Sequence, residues 1–286
     1  MSRARLARRQ PVNLEHASRF ASAQARLAAG DLYPDPWLLP RGFRRTLDAL
    51  LAVAFGPARR GGEAFRDGSE RALRGRPDGP LLLALWSAAT AAEMRHADLR
   101  ALFAAVHEPL PDPPASRAEL RTSLQRRVEP LARCVLAILQ AGEEALPPAV
   151  ELGIGLGLAR LLLDTPAQLR AGRLPWPEAD LTACGLRRED LARGLPGPAV
   201  SAWLRGESSW ALEHLARGHG LREHVGARLR RALDNEIRRA RRLLAQASDP
   251  QRDLFRNPPR LPAAVRWSGR ARALGNLAHS VLLPHS

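Results

Sequence analysis

Leu120, Leu124, Val128, Leu131, Val135 and Leu139 recur at intervals of three and four residues, the stripe of a helix with one face buried. Pro130 lies inside that run and is expected to bend it. The same period organises most of the chain. An Ala-rich segment from Asn13 to Ala29, with Leu14, Phe20 and Leu27 as its larger apolar positions, reads as a helix stopped by Gly30-Asp31. Tyr33-Pro34-Asp35-Pro36 is a turn, because each proline sets its own φ and restrains the residue before it. A second helix starts near Pro40, runs through Leu47, Leu50, Leu51 and Phe55, and stops at Gly56-Pro57. Arg59 to Pro80 is rich in Gly, Arg and Asp and is expected as a mobile loop or a frayed short helix. Leu81 to Val106 reads as helix in two pieces, and four prolines between Pro109 and Pro114 mark a linker.

Pro147 to Asp164 is apolar on nearly every side, as befits a helix at the centre of a bundle, and a polar turn is expected after Asp164. Beyond the break at Gly194 to Pro198 comes a helix containing Trp203 and Trp210. The last helix is amphipathic. Val225, Leu229, Leu233, Ile237, Ala240 and Leu244 form one stripe, and arginines crowd the segment from Arg222 to Arg242. No segment shows the alternation of a strand. The pattern predicts an all-α protein: a basic arm over residues 1–12, expected to be disordered, and a single domain over residues 13–286.

Composition adds a charge imbalance. The chain has 44 basic residues, all arginine, against 29 acids, for a net charge of +15. Codon bias explains arginine over lysine but not the excess of bases, which favours an anionic membrane surface, a polyanion or an acidic protein as partner. The N-terminus carries Arg3, Arg5, Arg8 and Arg9 ahead of its first acid, Glu15, without the apolar core of a secretory signal. No apolar run is expected to reach the length that crosses a bilayer. Cys134 and Cys184 have no metal spacing, and a reducing compartment is the default.

Other patterns dissolve on inspection. Gly153, Gly155 and Gly157 follow no strand and lack dinucleotide-loop spacing, so close helix packing is the expected cause. Glu93 and His96 have di-iron spacing without the second copy that chemistry requires. His214, His219 and His224 are five apart, which scatters them around a helix and argues against zinc. The basic last helix lacks base-reading motifs and aromatic interleaving, so nucleic acid is not an expected partner.

The stretch Leu152 to Leu191 resembles the second signature of the squalene/phytoene synthase family. Gly153, Asp164, Arg173 and Pro177 stand where that pattern has them, whereas Gly157 takes its glutamine place, Arg160 its asparagine, Leu163 its arginine, Gln168 its second acid and Pro175 its tyrosine. Leu38-Leu39-Pro40 and the run Arg44 to Phe55 are similar to the family's first helix, but Ala58 and Arg59 fall at its aspartate pair. Of the family's Tyr-Cys-x-x-Val-Ala-Gly motif only Val128 is in register, with Leu124, Gln125, Glu129 and Pro130 at the other places. The resemblance implies an isoprenoid-synthase-type helical bundle around a central cavity. In the family, carboxylates from two facing helices hold magnesium on a prenyl diphosphate so that its leaving charge is neutralised. Asp164 alone cannot hold such a cluster.

The resemblance therefore implies a divergent member, expected to be catalytically inactive, with no confident metal ligand, no cofactor expected and Asp164 as a relic of the catalytic set. One branch of the family, likewise stripped of its aspartates, serves respiratory complex I assembly. The expected role is that of an accessory or assembly factor for a respiratory complex or isoprenoid metabolism, with an isoprenoid or lipid in its central pocket and a protein or anionic membrane surface as partner. Arg59, Arg160 and Arg173 are candidates for binding phosphate or lipid without metal, since guanidinium matches phosphate geometry. The competing reading has these arginines solvated or paired with acids. The alternative function is an active head-to-head prenyl-diphosphate synthase that uses magnesium. The expected location is cytoplasmic, extending to peripheral contact with the inner membrane, or mitochondrial in a eukaryote.

Overall fold

The computed structural model describes residues 13–34, 38–56, 62–108, 110–194 and 197–261, and among these the regular structure is helical, with no strand. The helices are α1 (Leu14–Ala29), α2 (Arg41–Phe55), α3 (Gly62–Leu73), α4 (Pro80–Ala91), α5 (His96–His107), α6 (Arg117–Leu139), α7 (Leu146–Arg170), α8 (Glu178–Ala183), α9 (Arg188–Ala192), α10 (Pro198–Gly218) and α11 (Ala227–Ala247). The basic arm and the residues beyond Leu261 lie outside the described set.

Local chemistry places many of the boundaries. The Asn13 side chain accepts the Glu15 N–H at the start of α1, and Gly30, at φ 55°, ends it. Ser116 caps α6 by accepting the Glu119 N–H, while the Glu119 carboxylate accepts the N–H of Ala115. Gly172, at φ 73°, closes α7 as a left-handed cap: Arg173 N–H reaches the Gln168 carbonyl and Gly172 N–H the Leu169 carbonyl. That cap lies six residues beyond Pro166, so α7 does not stop at Asp164 as the sequence pattern implied. Likewise α6 runs on as helix through Pro130.

Three further expectations change. Residues 62–73 are a formed helix, because Phe65, Gly68, Ser69 and Ala72 share one buried face and Phe65 meets Phe103 of α5 edge-on at 6.4 Å. The arginine-rich helix begins at Ala227, since His219–His224 is a 3-10 turn separated from α11 by Val225 and Gly226. Finally, the helical stretch Glu143–Arg170 is long and apolar enough to cross a membrane by length and composition. It packs between α6 and α10, with Ile154, Leu158, Ala159 and Leu162 fully buried and 39% of its apolar window buried overall.

The described residues build two apolar cores that share α6. In one, α1, α2, α4 and α5 meet around Leu50, Leu85 and Leu102, and Cys134 of α6 projects into it; burial pushes the Cys134 thiol up to about 12, which leaves it inert. In the other, α6 contributes Leu120, Leu124 and Val128 to a core with α7, α10 and α11 around Leu158, Leu162 and Trp203. Glycine brings α7 against both neighbours. A Cβ on Gly153 would sit 2.2 Å from a Val128 methyl of α6, and one on Gly155 would sit 2.8 Å from the Leu215 backbone nitrogen of α10. In return, a Cβ on Gly218 of α10 would meet the Leu152 backbone at 2.4 Å.

These contacts predict opposite outcomes for two substitutions on one helix. Gly218→Ala should destabilise the protein by about 3 kcal/mol in urea unfolding, because backbone atoms must move apart. Gly206→Ala meets only a distant guanidinium nitrogen, at 3.8 Å, and should stabilise by about 0.5–1 kcal/mol through helix propensity.

Candidate functional site

Gly153, Gly157, Arg160, Asp164 and Gln168 are spaced by three and four residues and share one face of α7. Along this face Gly153 lies against Val128, and a Cβ on Gly157 would be in ordinary contact with Leu124 at 3.4 Å. Further on, Arg160 Nε donates to Asp164 Oδ2 at 2.5 Å, and an Arg160 Nη1 atom lies 3.3 Å from where a Gly30 Cβ would be. Arg160 thus reaches from α7 to the corner after α1 with its own counter-ion one turn behind. Both side chains are about one-third exposed, at 38% and 35%. For a pair so placed the attraction is screened and contributes roughly 0.3–0.5 kcal/mol. Its chemical consequence is larger: the acid that remains from the metal-binding pattern carries a guanidinium.

Among the described residues, Arg173 does not join the Arg160–Asp164 pair. Arg173 is exposed on the turn after α7, and no hydrogen bond or ion pair joins it to Arg160. Arg59, with Ala58, lies outside the described residues. Among the described residues no group of three or more His, Cys, Asp or Glu side chains is arranged to hold a metal ion. Glu93, between α4 and α5, and His96, the first residue of α5, are both exposed. The three histidines go separate ways, His214 to Glu151, His219 to Asp234 and His224 to Glu144.

The segment after α7 is built as a rigid corner. Leu174, Pro175, Trp176 and Pro177 are buried, the Leu174 N–H donates to Asp112 Oδ1 at 2.6 Å, and Arg188 donates to the Gly172 carbonyl. The Trp176 indole N–H donates to Thr165 Oγ1 at 2.8 Å, and its ring meets Trp203 edge-on at 5.9 Å. Pro175, in the tyrosine place, is part of this packing and offers no hydroxyl.

Three polar sites were not anticipated. Asp48 is buried in α2 and accepts hydroxyl hydrogen bonds from Ser22 and Tyr33, each at 2.5 Å. Burial, reinforced by that carboxylate, pushes the Tyr33 phenol up to about 12. Glu151 of α7 accepts from Arg121 of α6 and from Arg217 and His214 of α10. Burial pushes Glu151 up, but the hydrogen bonds from His214, Arg217 and Arg121 outweigh it and leave the carboxyl below its usual range. Burial holds His214 below the usual imidazole range, although Glu151 pulls the other way.

The third site centres on Arg117, which joins α8 and α10 to the start of α6. Its Nε donates to Asp180 and an Nη to Glu207, both at 3.0 Å, while the guanidinium stacks 5.0 Å from the Trp210 ring. Glu207 is 1% exposed, and burial pushes its carboxyl up to about 7 against the pull of Arg117. The available signal was an acid inside the apolar period Val200, Trp203, Leu204, Glu207, Trp210, Ala211.

Because the folded protein holds the Glu207 proton more tightly than the unfolded chain does, its contribution to stability is complete below about 4.5 and is lost as pH rises through about 7. Urea unfolding of the wild type and of Glu207→Gln from about pH 5 to about pH 8 should show the wild type losing stability relative to the variant. Parallel curves would assign the carboxyl an ordinary pKa.

Comparison with known proteins completes the picture. The chain is similar in structure to squalene synthase HpnC from Alicyclobacillus acidocaldarius, with TM-score 0.66 and 20% identity over 91% of this chain and 97% of that one. It is also similar to a dehydrosqualene synthase in complex with ligand, with TM-score 0.79 and 15% identity over 93% and 98% of the two chains. YisP from Bacillus subtilis subsp. subtilis strain 168 gives TM-score 0.69 and 18% identity over 90% and 96%. At such identities these likenesses establish the fold, which is the all-α isoprenoid synthase fold. No curated protein matches the sequence. The family model for squalene/phytoene synthase matches residues 14–271, and with the fold and the α7 signature in agreement, the chain belongs to the squalene/phytoene synthase family.

Proposed function

We propose that this protein is a squalene/phytoene synthase-family member that does not condense prenyl diphosphates and instead works as an accessory or assembly factor that binds an isoprenoid or lipid. The observation that carries the reading is the 2.5 Å Arg160–Asp164 pair. Ionising an allylic diphosphate requires divalent cations held by several carboxylates. The one acid in register is neutralised from within its own helix, and Gly157, Leu163 and Gln168 supply no anionic ligand beside it. Arginine at position 160 instead offers a fixed charge suited to a phosphate or to Asp164 itself.

The solved neighbours support the lipid half of the proposal, because one is a squalene synthase and another a dehydrosqualene synthase in complex with ligand. The proposed place of action is the cytoplasm and the face of the inner membrane, or the mitochondrion in a eukaryote, next to the respiratory or isoprenoid machinery it would assist.

Incubation of the purified protein with farnesyl or geranylgeranyl diphosphate and magnesium should yield no condensed product, and magnesium should not tighten diphosphate binding. Clear turnover would instead establish an active head-to-head synthase. Asp164→Ala should shift unfolding stability by no more than about 0.5 kcal/mol, the worth of a partly exposed pair one helical turn apart. A selective loss of turnover in that variant would overturn the reading.

A further inference from the structure

The outer face of α11 differs from the rest of the described surface. Elsewhere many arginines are matched to acids, among them Arg19, Arg71, Arg121, Arg133 and Arg217. On α11 every exposed position is an arginine or an alanine. Arg231, Arg238 and Arg242 follow at spacings of seven and four residues along one line, with Arg241 beside it. None of these four makes a hydrogen bond or ion pair among the described residues. Asp234, the acid nearest this line, is engaged by His219 at 2.8 Å, and Glu236 is buried beside Arg239.

Arg238 and Arg242 stand one turn apart, as do Arg238 and Arg241, and like charges at that spacing repel, although Asp234 stands one turn from both Arg231 and Arg238. The opposite face fixes the orientation. Ile237, Ala240, Leu243, Leu244 and Ala247 are buried, and Arg239 donates to the Asp31 and Tyr33 carbonyls, clamping α11 to the corner after α1. The arginine line is therefore presented on a rigid support.

We infer that this face is a docking surface for an anionic lipid bilayer, with Arg231, Arg238, Arg241 and Arg242 contacting lipid phosphates. Arginine and alanine alone supply charge and close approach but nothing that reads a base edge. A single line on one half-buried helix touches few phosphates of a duplex, whereas a bilayer offers phosphates across a plane. The apolar side of α11 is spent on the protein core, so attraction is electrostatic and should fall with salt, without insertion. The inference rests on the membrane-facing part of the proposed function and is independent of whether catalysis has been lost.

Co-sedimentation of the full chain with vesicles tests it. Binding is expected to vesicles of equal parts phosphatidylglycerol and phosphatidylcholine, not to phosphatidylcholine alone, and should disappear at about 0.5 M salt. The combined variant R231Q/R238Q/R241Q/R242Q should bind at least about tenfold more weakly, while R231K/R238K/R241K/R242K should retain most of the binding. R41Q/R45Q/R76Q/R100Q removes the same charge from other exposed positions and should bind as the wild type does. Equal loss in both glutamine variants would reduce the effect to net charge and overturn the assignment. Absence of vesicle binding by the wild type, or retention on duplex DNA in its place, would do the same. The condensation assay reads the catalytic proposal separately, so either can fail alone.

Discussion

The close approach of α7 to α6 on one side and α10 on the other is the constraint on which the remaining structure depends. Gly153 admits the Val128 methyl, Gly155 admits the Leu215 backbone, and Gly218 returns the arrangement by admitting Leu152. A side chain at any of these positions would push helix axes apart, and interiors packed to crystal-like density do not absorb such a shift locally. Because α6 also lends Cys134 to the core formed by α1, α2, α4 and α5, the spacing of α6 and α7 sets how the two cores meet. Gly153 and Val128 belong to two different family motifs. They are the residues of those motifs that touch here, and what they share is packing.

Loss and retention thus follow different physics. Positions that hold backbones together tolerate little change, since a misplaced Cβ forces movement of main chain. A partly exposed carboxylate such as Asp164 can be satisfied by a neighbouring side chain without any movement of backbone. Arg160 does this for Asp164, and Pro175 is buried in the corner next to Trp176. Polar couplings between helices lie elsewhere, at Arg117 with Glu207 and at Glu151 with its three donors. Each ties helices distant in sequence, and each sits at a joint of the second core.

Much of this was legible in the chain. The three-and-four spacing marks α1, α2, α6 and the central run of α7, and the glycine run reads correctly as close packing. Residues 62–73 read as a mobile loop or a frayed short helix because small residues such as Gly68 and Ser69 weaken an apolar signal, yet small residues suit a face that packs closely against Leu82. The length of α7 was cut short because Asp164 and Pro166 look like terminators; the helix continues because its end is set by Gly172, the left-handed cap. The candidate site was legible as a list of identities at family positions and illegible as a constellation, since Arg160, Arg173 and Asp164 stand on the same or adjoining elements with different exposures.

By itself the sequence determined the all-α class, the family and the absence of the second acid, because periodicity and residue identity are properties of the chain. Only the tertiary structure decided that Asp164 is paired within its own helix and that Asp48, Glu207 and His214 are buried. It also left Arg231, Arg238, Arg241 and Arg242 of α11 exposed, with no hydrogen bond or ion pair among the described residues. Charge partners and burial are set by which helices meet, and contacts between residues such as Arg117 and Glu207, ninety positions apart, exist only after the fold has brought them together.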